Sequence, residues 1–162
     1  MDSAYSSVPF TTAHGVEQPV AALRDPNIPP ETAEIPAPLI LIVDDESLVR
    51  WSVAETLLGA GYHVLEAATG RDARSAIADP RQPIAAILLD LKLPDDSGLD
   101  ILDEIRRVRR HCPVLVMTAY GAPEAIERVM RVGAVGVLPK PFDLDRLLDT
   151  VRRICPAAPP PR

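Results

Sequence analysis

Asp44-Asp45-Glu46, Asp90, Thr118 and Lys140 stand far apart in the chain, yet their side chains could act together on a phosphate. An oxygen-only set of acids, with no His or Cys beside it, suits a hard cation. Mg²⁺ in particular is held by one or two carboxylates together with waters and a phosphate. Two bare carboxylates about 4 Å apart repel by roughly 4 kcal/mol at an effective dielectric near 20, so a cluster of them calls for a positive partner. A carboxylate beside such an ion can attack phosphorus and form an acyl phosphate. A facing cation and a hydroxyl donor, here Lys140 and Thr118, would then stabilise charge on the phosphoryl oxygens. Each residue also has a plainer reading. Asp44-Asp45 suits the cap of a following helix, Asp90 a turn after the apolar run PIAAILLD, Thr118 an ordinary strand position, and Lys140 a loop between two prolines. The fold decides between these readings, because only some folds bring the residues to one place.

Two periodicities alternate between residues 39 and 155. Short apolar runs occur at LILIV (39–43), HVLEA (63–67), IAAILL (84–89), VLVMT (114–118) and GVL (136–138). Continuous runs of this kind suit parallel strands buried on both faces. Between them lie stretches with helical spacing, at 47–60, 70–78, from Ser97, and from Pro123 to a stop at Gly133. The last is Leu144, Leu147, Leu148, Val151 and Ile154, preceded by Asp143 as a natural N-cap. Five strand–helix units in a row predict an α/β fold, a flavodoxin-like doubly wound parallel sheet of five strands in the order 2-1-3-4-5 with five helices. In that order the C-terminal ends of the strands share one rim. Asp44-Asp45-Glu46, Asp90, Thr118 and Lys140 all fall on it.

The bulk composition excludes several classes. The chain has 162 residues, a net charge of −6 and no apolar stretch long enough for a membrane span. Its acidity argues against binding a phosphate backbone or an anionic membrane. The arginine run RRVRR (106–110) could form a nucleic-acid patch, but it also suits the dipole at a helix end. The first residues, MDSAYSSVPF, have neither the basic flank nor the apolar core of a secretory signal. Cys112 and Cys155 have no metal-like spacing and read as reduced thiols, consistent with a cytoplasmic setting. Seven of the 18 prolines lie in residues 1–38 and four in 156–162. The first segment reads as a disordered N-terminal arm and the second as a tail or linker stub, flanking a core at 39–155. Only two lysines, Lys92 and Lys140, stand against 15 arginines, and both fall at or beside the candidate site.

The pattern LILIVDDE…ILLDLKLPDDSG…VLVMTAYG…GVLPKPFD resembles the receiver domain of bacterial two-component response regulators over residues 39–154. RWSVAETL, MTAYG and LPKPFD are similar to receivers of NtrC-type enhancer-binding activators. The resemblance implies that Asp90 is the phosphoacceptor, receiving its phosphoryl group from a sensor histidine kinase or a phosphotransfer protein. It implies Mg²⁺ as cofactor, with Asp45 as a direct ligand, Asp44 helping through water, and Asp90 and the backbone carbonyl of Lys92 completing the set. Thr118 would be the switch hydroxyl and Lys140 the phosphate-pairing lysine, followed by a cis bond to Pro141. Such a domain is not a conventional enzyme, but it catalyses its own phosphorylation and dephosphorylation, and signals through the face of its fourth helix, fifth strand and fifth helix.

Departures from the pattern matter as well. Receivers commonly carry Tyr or Phe three residues before the lysine, where this chain has Val137. Tyr120 and Lys92 stand where they would tune dephosphorylation, and Asp95 occupies a place where glycine is frequent. A receiver-like interaction module independent of phosphorylation is one alternative. A small aspartate-nucleophile phosphatase is another, although the first strand yields Asp44-Asp45-Glu46 rather than a D-x-D pair. A flavodoxin-like redox carrier is disfavoured by the acidity of the first loop. The residues after the core hold no phosphate-loop motif and leave no room for a DNA-binding domain, so no direct nucleic-acid contact is expected. The downstream effector is unspecified, and phosphorylation-dependent homodimerisation stays open.

Overall fold

The computed structural model describes residues 36–119 and 122–156. The expected arm at 1–38 and tail at 156–162 therefore lie outside the described residues except for 36–38 and 156. The strands are β1 (Leu39–Val43), β2 (His63–Ala67), β3 (Ile84–Asp90), β4 (Val114–Thr118) and β5 (Gly136–Pro139). They alternate with α1 (Ser47–Gly59), α2 (Gly70–Ala78), α3 (Gly98–Val108), α4 (Pro123–Val132) and α5 (Leu144–Ile154). All strand pairs are parallel and the order is β2-β1-β3-β4-β5, as the alternation of periods predicts.

The central strands β1, β3 and β4 are apolar up to their last residues because each face of the sheet has its own helical cover. Leu41 and Val43 of β1 point to one side, with Ile77 of α2, Ile101 and Ile105 of α3 and Val129 of α4. Ile40 and Ile42 point to the other, with Val53 and Leu57 of α1 and Leu147 and Val151 of α5. A strand in this position has no solvent face on which to place a polar residue. Its polar residues are therefore displaced to its ends.

Local signals set the helix boundaries. Asp143 accepts hydrogen bonds from the amides of Asp145 (2.7 Å) and Arg146 (3.3 Å), so α5 starts where its cap predicts. Thr69 caps α2 through the amide of Asp72 at 3.1 Å. Gly133 ends α4 at φ 118°, a left-handed conformation that a side chain would strain. The arginine run at the end of α3 is used within the fold. Arg109 donates to the carbonyls of Ile77 (2.8 Å) and Asp79 (2.7 Å), which cap the exposed end of α2. Arg106 donates to the carbonyls of Arg110 (3.0 Å) and Cys112 (2.6 Å). Two of the four arginines thus satisfy backbone oxygens rather than form a surface patch.

The loop between β3 and α3 is tied to α2. Asp95 accepts from the amides of Gly70 (2.7 Å) and Arg71 (3.1 Å), the unsatisfied donors at the N-terminus of α2. Asp96 accepts two hydrogen bonds from Arg74, at 2.7 and 3.2 Å, and Arg74 also pairs with Glu104 of α3. The bonds from Gly70 and Arg71 hold the Asp95 carboxyl below the usual carboxylate range. A group depressed in the folded state adds stability above its unfolded pKa of about 3.9 and loses it as pH falls further. Asp95→Gly is therefore expected to lower the thermal midpoint at pH 7, with the gap from wild type shrinking below about pH 4. Thermal melts of both proteins across that range check it, and a gap that does not change with pH would exclude the capping role.

Candidate functional site

Parallel register carries the chemistry to one edge. Val43 aligns with Leu89, Asp90 with Met117, and Thr118 with Pro139, so the strand ends step along a common rim. Asp44 follows β1, Asp90 and Thr118 are the last residues of β3 and β4, and Lys140 follows β5. Among the described residues, Asp44, Asp90 and Thr118 are the buried polar or charged side chains, at 0%, 4% and 2% exposure. The three polar groups sequestered among the described residues are thus three of those singled out for their chemistry.

Lys140 sits at the centre. Its ammonium lies 2.8 Å from Asp44 Oδ2, 2.7 Å from Asp90 Oδ2 and 2.8 Å from Glu46 Oε1. It donates hydrogen bonds to Asp90 and Glu46. Asp44 Oδ2 is in ionic contact but receives no aligned hydrogen bond, although it is fully buried. Burial works against the charge on Lys140, but the surrounding carboxylates outweigh it and raise its pKa above the ordinary lysine value. Burial raises the pKa of Asp44 in spite of the lysine, and the bond from Lys140 lowers that of Glu46. The backbone of Lys140 is held too, since its amide donates to the carbonyl of Thr118 at 2.9 Å; its bond to Pro141 is cis.

The remaining oxygens of the two buried acids are held by the chain just beyond them. Asp44 Oδ1 accepts from the amide of Glu46 at 2.9 Å. Glu46, not Asp44 or Asp45, is the N-cap residue of α1, and it makes no side-chain capping bond. Arg50 of α1 donates to the Asp44 carbonyl at 2.7 Å and to Glu66 at 3.0 Å, fixing this turn against β2. Asp90 Oδ1 accepts from the amide of Lys92 at 3.0 Å. A bridge between Lys92 and Ser97 closes the loop after Asp90. Gly98 belongs there for steric reasons, because a Cβ would fall 2.4 Å from Leu91 Cα.

Asp44, Asp45 and Asp90 each offer one oxygen, and these oxygens lie within 4.8 Å of one another. The set is all carboxylate, Asp45 is exposed to solvent, and Asp44 Oδ2 has no hydrogen-bond donor aligned on it. A hard divalent cation fits these residues. Val137 lies half-buried in β5, beside Val116 in the sheet register, and packs against the core on that face, so no ring occupies that position. Tyr120 lies outside the described residues. Two features escaped the sequence reading: Glu46 as the third carboxylate on Lys140, and the Asp95-Asp96 tether to α2. Glu46 adjoins Asp44-Asp45 and could have been found there, whereas the tether pairs residues more than twenty positions apart and left no local signal.

The family model described as the response regulator receiver domain matches residues 40–152. Sporulation initiation phosphotransferase F of Bacillus subtilis is 34% identical over 117 residues, covering 72% of this chain and 93% of that protein. The DNA-binding transcriptional regulator NtrC of Escherichia coli is 32% identical over 115 residues, which is 71% of this chain but 24% of NtrC. Among solved structures, the CheY-like receiver domain protein of Methanospirillum hungatei superimposes with a TM-score of 0.69 at 28% identity, over 72% of this chain and 92% of that one. The receiver domain of a LuxO repressor homologue from Vibrio parahaemolyticus gives 0.68 at 33% identity, over 73% and 89%. With its sheet order, its buried rim acids and this span of similarity, the chain belongs to the response regulator receiver domain family.

Proposed function

We propose that the chain is a phosphorylation-controlled switch in a two-component relay, in which Asp90 takes a phosphoryl group from a sensor histidine kinase or phosphotransfer protein. The observation that carries this reading is the single ammonium of Lys140 lodged among Asp44, Asp90 and Glu46, on the rim where Thr118 is also buried. An Asp90 carboxylate oxygen attacks phosphorus, and the donor nitrogen departs with the electron pair of the broken P–N bond. Mg²⁺ held by Asp44, Asp45, Asp90 and the Lys92 carbonyl would neutralise charge on the attacking carboxylate and the phosphoryl oxygens. Once Asp90 carries the phosphoryl group as an acyl phosphate, Lys140 keeps its charge and turns from carboxylates to the new phosphoryl oxygens, with Thr118 Oγ1 as a second donor. The tether from Asp95 and Asp96 to α2 keeps the loop after Asp90 in place during the exchange.

Shifting such a switch from 1:99 to 99:1 needs about 5.5 kcal/mol of differential stabilisation. Two or three charge-assisted hydrogen bonds at roughly 1.5–3 kcal/mol each supply that amount. The output surface is the face of α4, β5 and α5, which engages a protein effector in the cytoplasm; self-association through the same face is a second use of it. Val137 removes the aromatic rotamer change from this switch, so Thr118 and Lys140 carry the signal to β5. Tyr120 and Lys92 tune the lifetime of the acyl phosphate.

Intact mass after treatment with acetyl phosphate tests the phosphorylation step. Wild type is expected to gain one phosphoryl group only with Mg²⁺ present, and Asp90→Asn none. Absence of any gain in wild type would leave the phosphorylation-independent interaction module as the better account. A second outcome concerns the lysine. Lys140→Met leaves Asp44 and Asp90 buried beside each other without a cation, which is expected to cost about 3–5 kcal/mol in urea unfolding. Added Mg²⁺ should then raise the thermal midpoint of the variant more than that of wild type. Equal stability of the two proteins without Mg²⁺ would show that the ammonium does not compensate these carboxylates.

A further inference from the structure

The exposed edge of the sheet carries a groove that the phosphate chemistry does not use. It has a volume of about 310 Å³, near the lower end of the roughly 300–1,000 Å³ typical of ligand clefts. β5, with Val135 before it and Leu115 beneath, forms one wall, and Arg146, Thr150, Arg153 and Ile154 of α5 form the other. Its depth comes from Gly136, where a Cβ would stand 3.3 Å from Leu115 Cδ1. The apolar part is open to solvent, with Val135 47% exposed.

The two arginines give the groove its sign. Neither Arg146 nor Arg153 forms an ion pair among the described residues, although the whole chain carries a net charge of −6. Arg153 instead donates to Thr150 Oγ1 at 3.1 Å. Arg146 stands in the first turn of α5, where the helix dipole disfavours a cation, so local electrostatics do not explain its placement. A larger open depression shared by the same two arginines continues along α5 past Arg152. An apolar floor beside guanidinium groups with no carboxylate partner among the described residues is complementary to carboxylates flanking an apolar side chain. A phosphate backbone would meet the charge but leave the floor unfilled.

We propose that the groove between β5 and α5 receives an acidic protein segment bearing one bulky apolar side chain. That side chain lies over Gly136, and the carboxylates pair with Arg146 and Arg153. This rests on the reading above that the α4–β5–α5 face is the output surface, and it supplies the chemistry of the partner.

The probe is an amidated synthetic peptide with one Phe flanked by Glu and Asp, titrated into the isotope-labelled full chain and followed by amide NMR. Shifts are expected at Gly136, Val137, Thr150 and Arg153, and they should weaken when the peptide's Phe is replaced by Ala. Arg146→Glu, which suits the first turn of a helix and so should not perturb folding, is expected to weaken binding about three- to tenfold. A peptide with Lys in place of its acids should recover part of that loss on the variant. Gly136→Leu should fill the groove and abolish the shifts. No shifts at millimolar peptide, or shifts indifferent to both Phe and Arg146, would overturn the proposal. So would equal shifts with duplex DNA, or the same residues shifting when the chain alone is concentrated, which would make a nucleic acid or a second copy the occupant. Running the titration before and after acetyl phosphate with Mg²⁺, with intact mass read on the same sample, separates the two readings. Phosphoryl uptake without peptide binding in either state overturns the groove alone, whereas groove binding without uptake upholds it and overturns the switch.

Discussion

One ammonium facing three carboxylates is the constraint on which this molecule depends. Asp44 and Asp90 are out of water, and two carboxylates at close range repel unless a cation lies between them. Lys140 supplies it, and is itself kept charged by the acids it neutralises. Everything that positions these groups must be held closely, because a displaced ammonium would leave buried charge uncompensated at a cost of several kcal/mol. The same arrangement suits an exchange of partners. A cation held by three carboxylates is already oriented toward the place where new negative charge would arrive, and a divalent ion could replace it on two of them.

The sheet makes this arrangement possible. Parallel strands covered on both sides have no polar face, so the acids and the threonine stand at strand ends, and parallel direction puts all of those ends on one edge. The helices contribute mainly by closure. α1 secures the turn after Asp44 through Arg50, while α2 and α3 secure the loop after Asp90 through Asp95, Asp96 and Gly98.

Most of this was legible in the sequence because it is governed by local rules. The apolar runs gave strands accurate to within a residue, and Asp143, Pro123 and Gly133 marked helix boundaries through capping and backbone preference. Asp44, Asp90, Thr118 and Lys140 could be grouped because the strand order follows from the connections. What stayed hidden was contact between distant positions. Nothing near Asp95 signals that its partners are amides of α2, and nothing in RRVRR distinguishes a surface patch from two arginines folded back onto carbonyls. The groove over Gly136 was invisible for a related reason, since an empty volume depends on the side chains around it and leaves no periodic trace.

The way α2 is held has a consequence for how the molecule opens. This helix has nine residues, too few to persist alone in water. Its first amides are bound by Asp95, its middle by Arg74 to Asp96 and Glu104, and its last carbonyls by Arg109. All of these partners belong to the segment from the end of β3 to Arg109, the C-cap residue of α3. Neither end of α2 can therefore fray without breaking bonds to that segment, and the segment cannot detach without exposing both ends of α2. The two form one cooperative unit, so local unfolding beside the loop after Asp90 is an all-or-none event of two helices rather than the loosening of one.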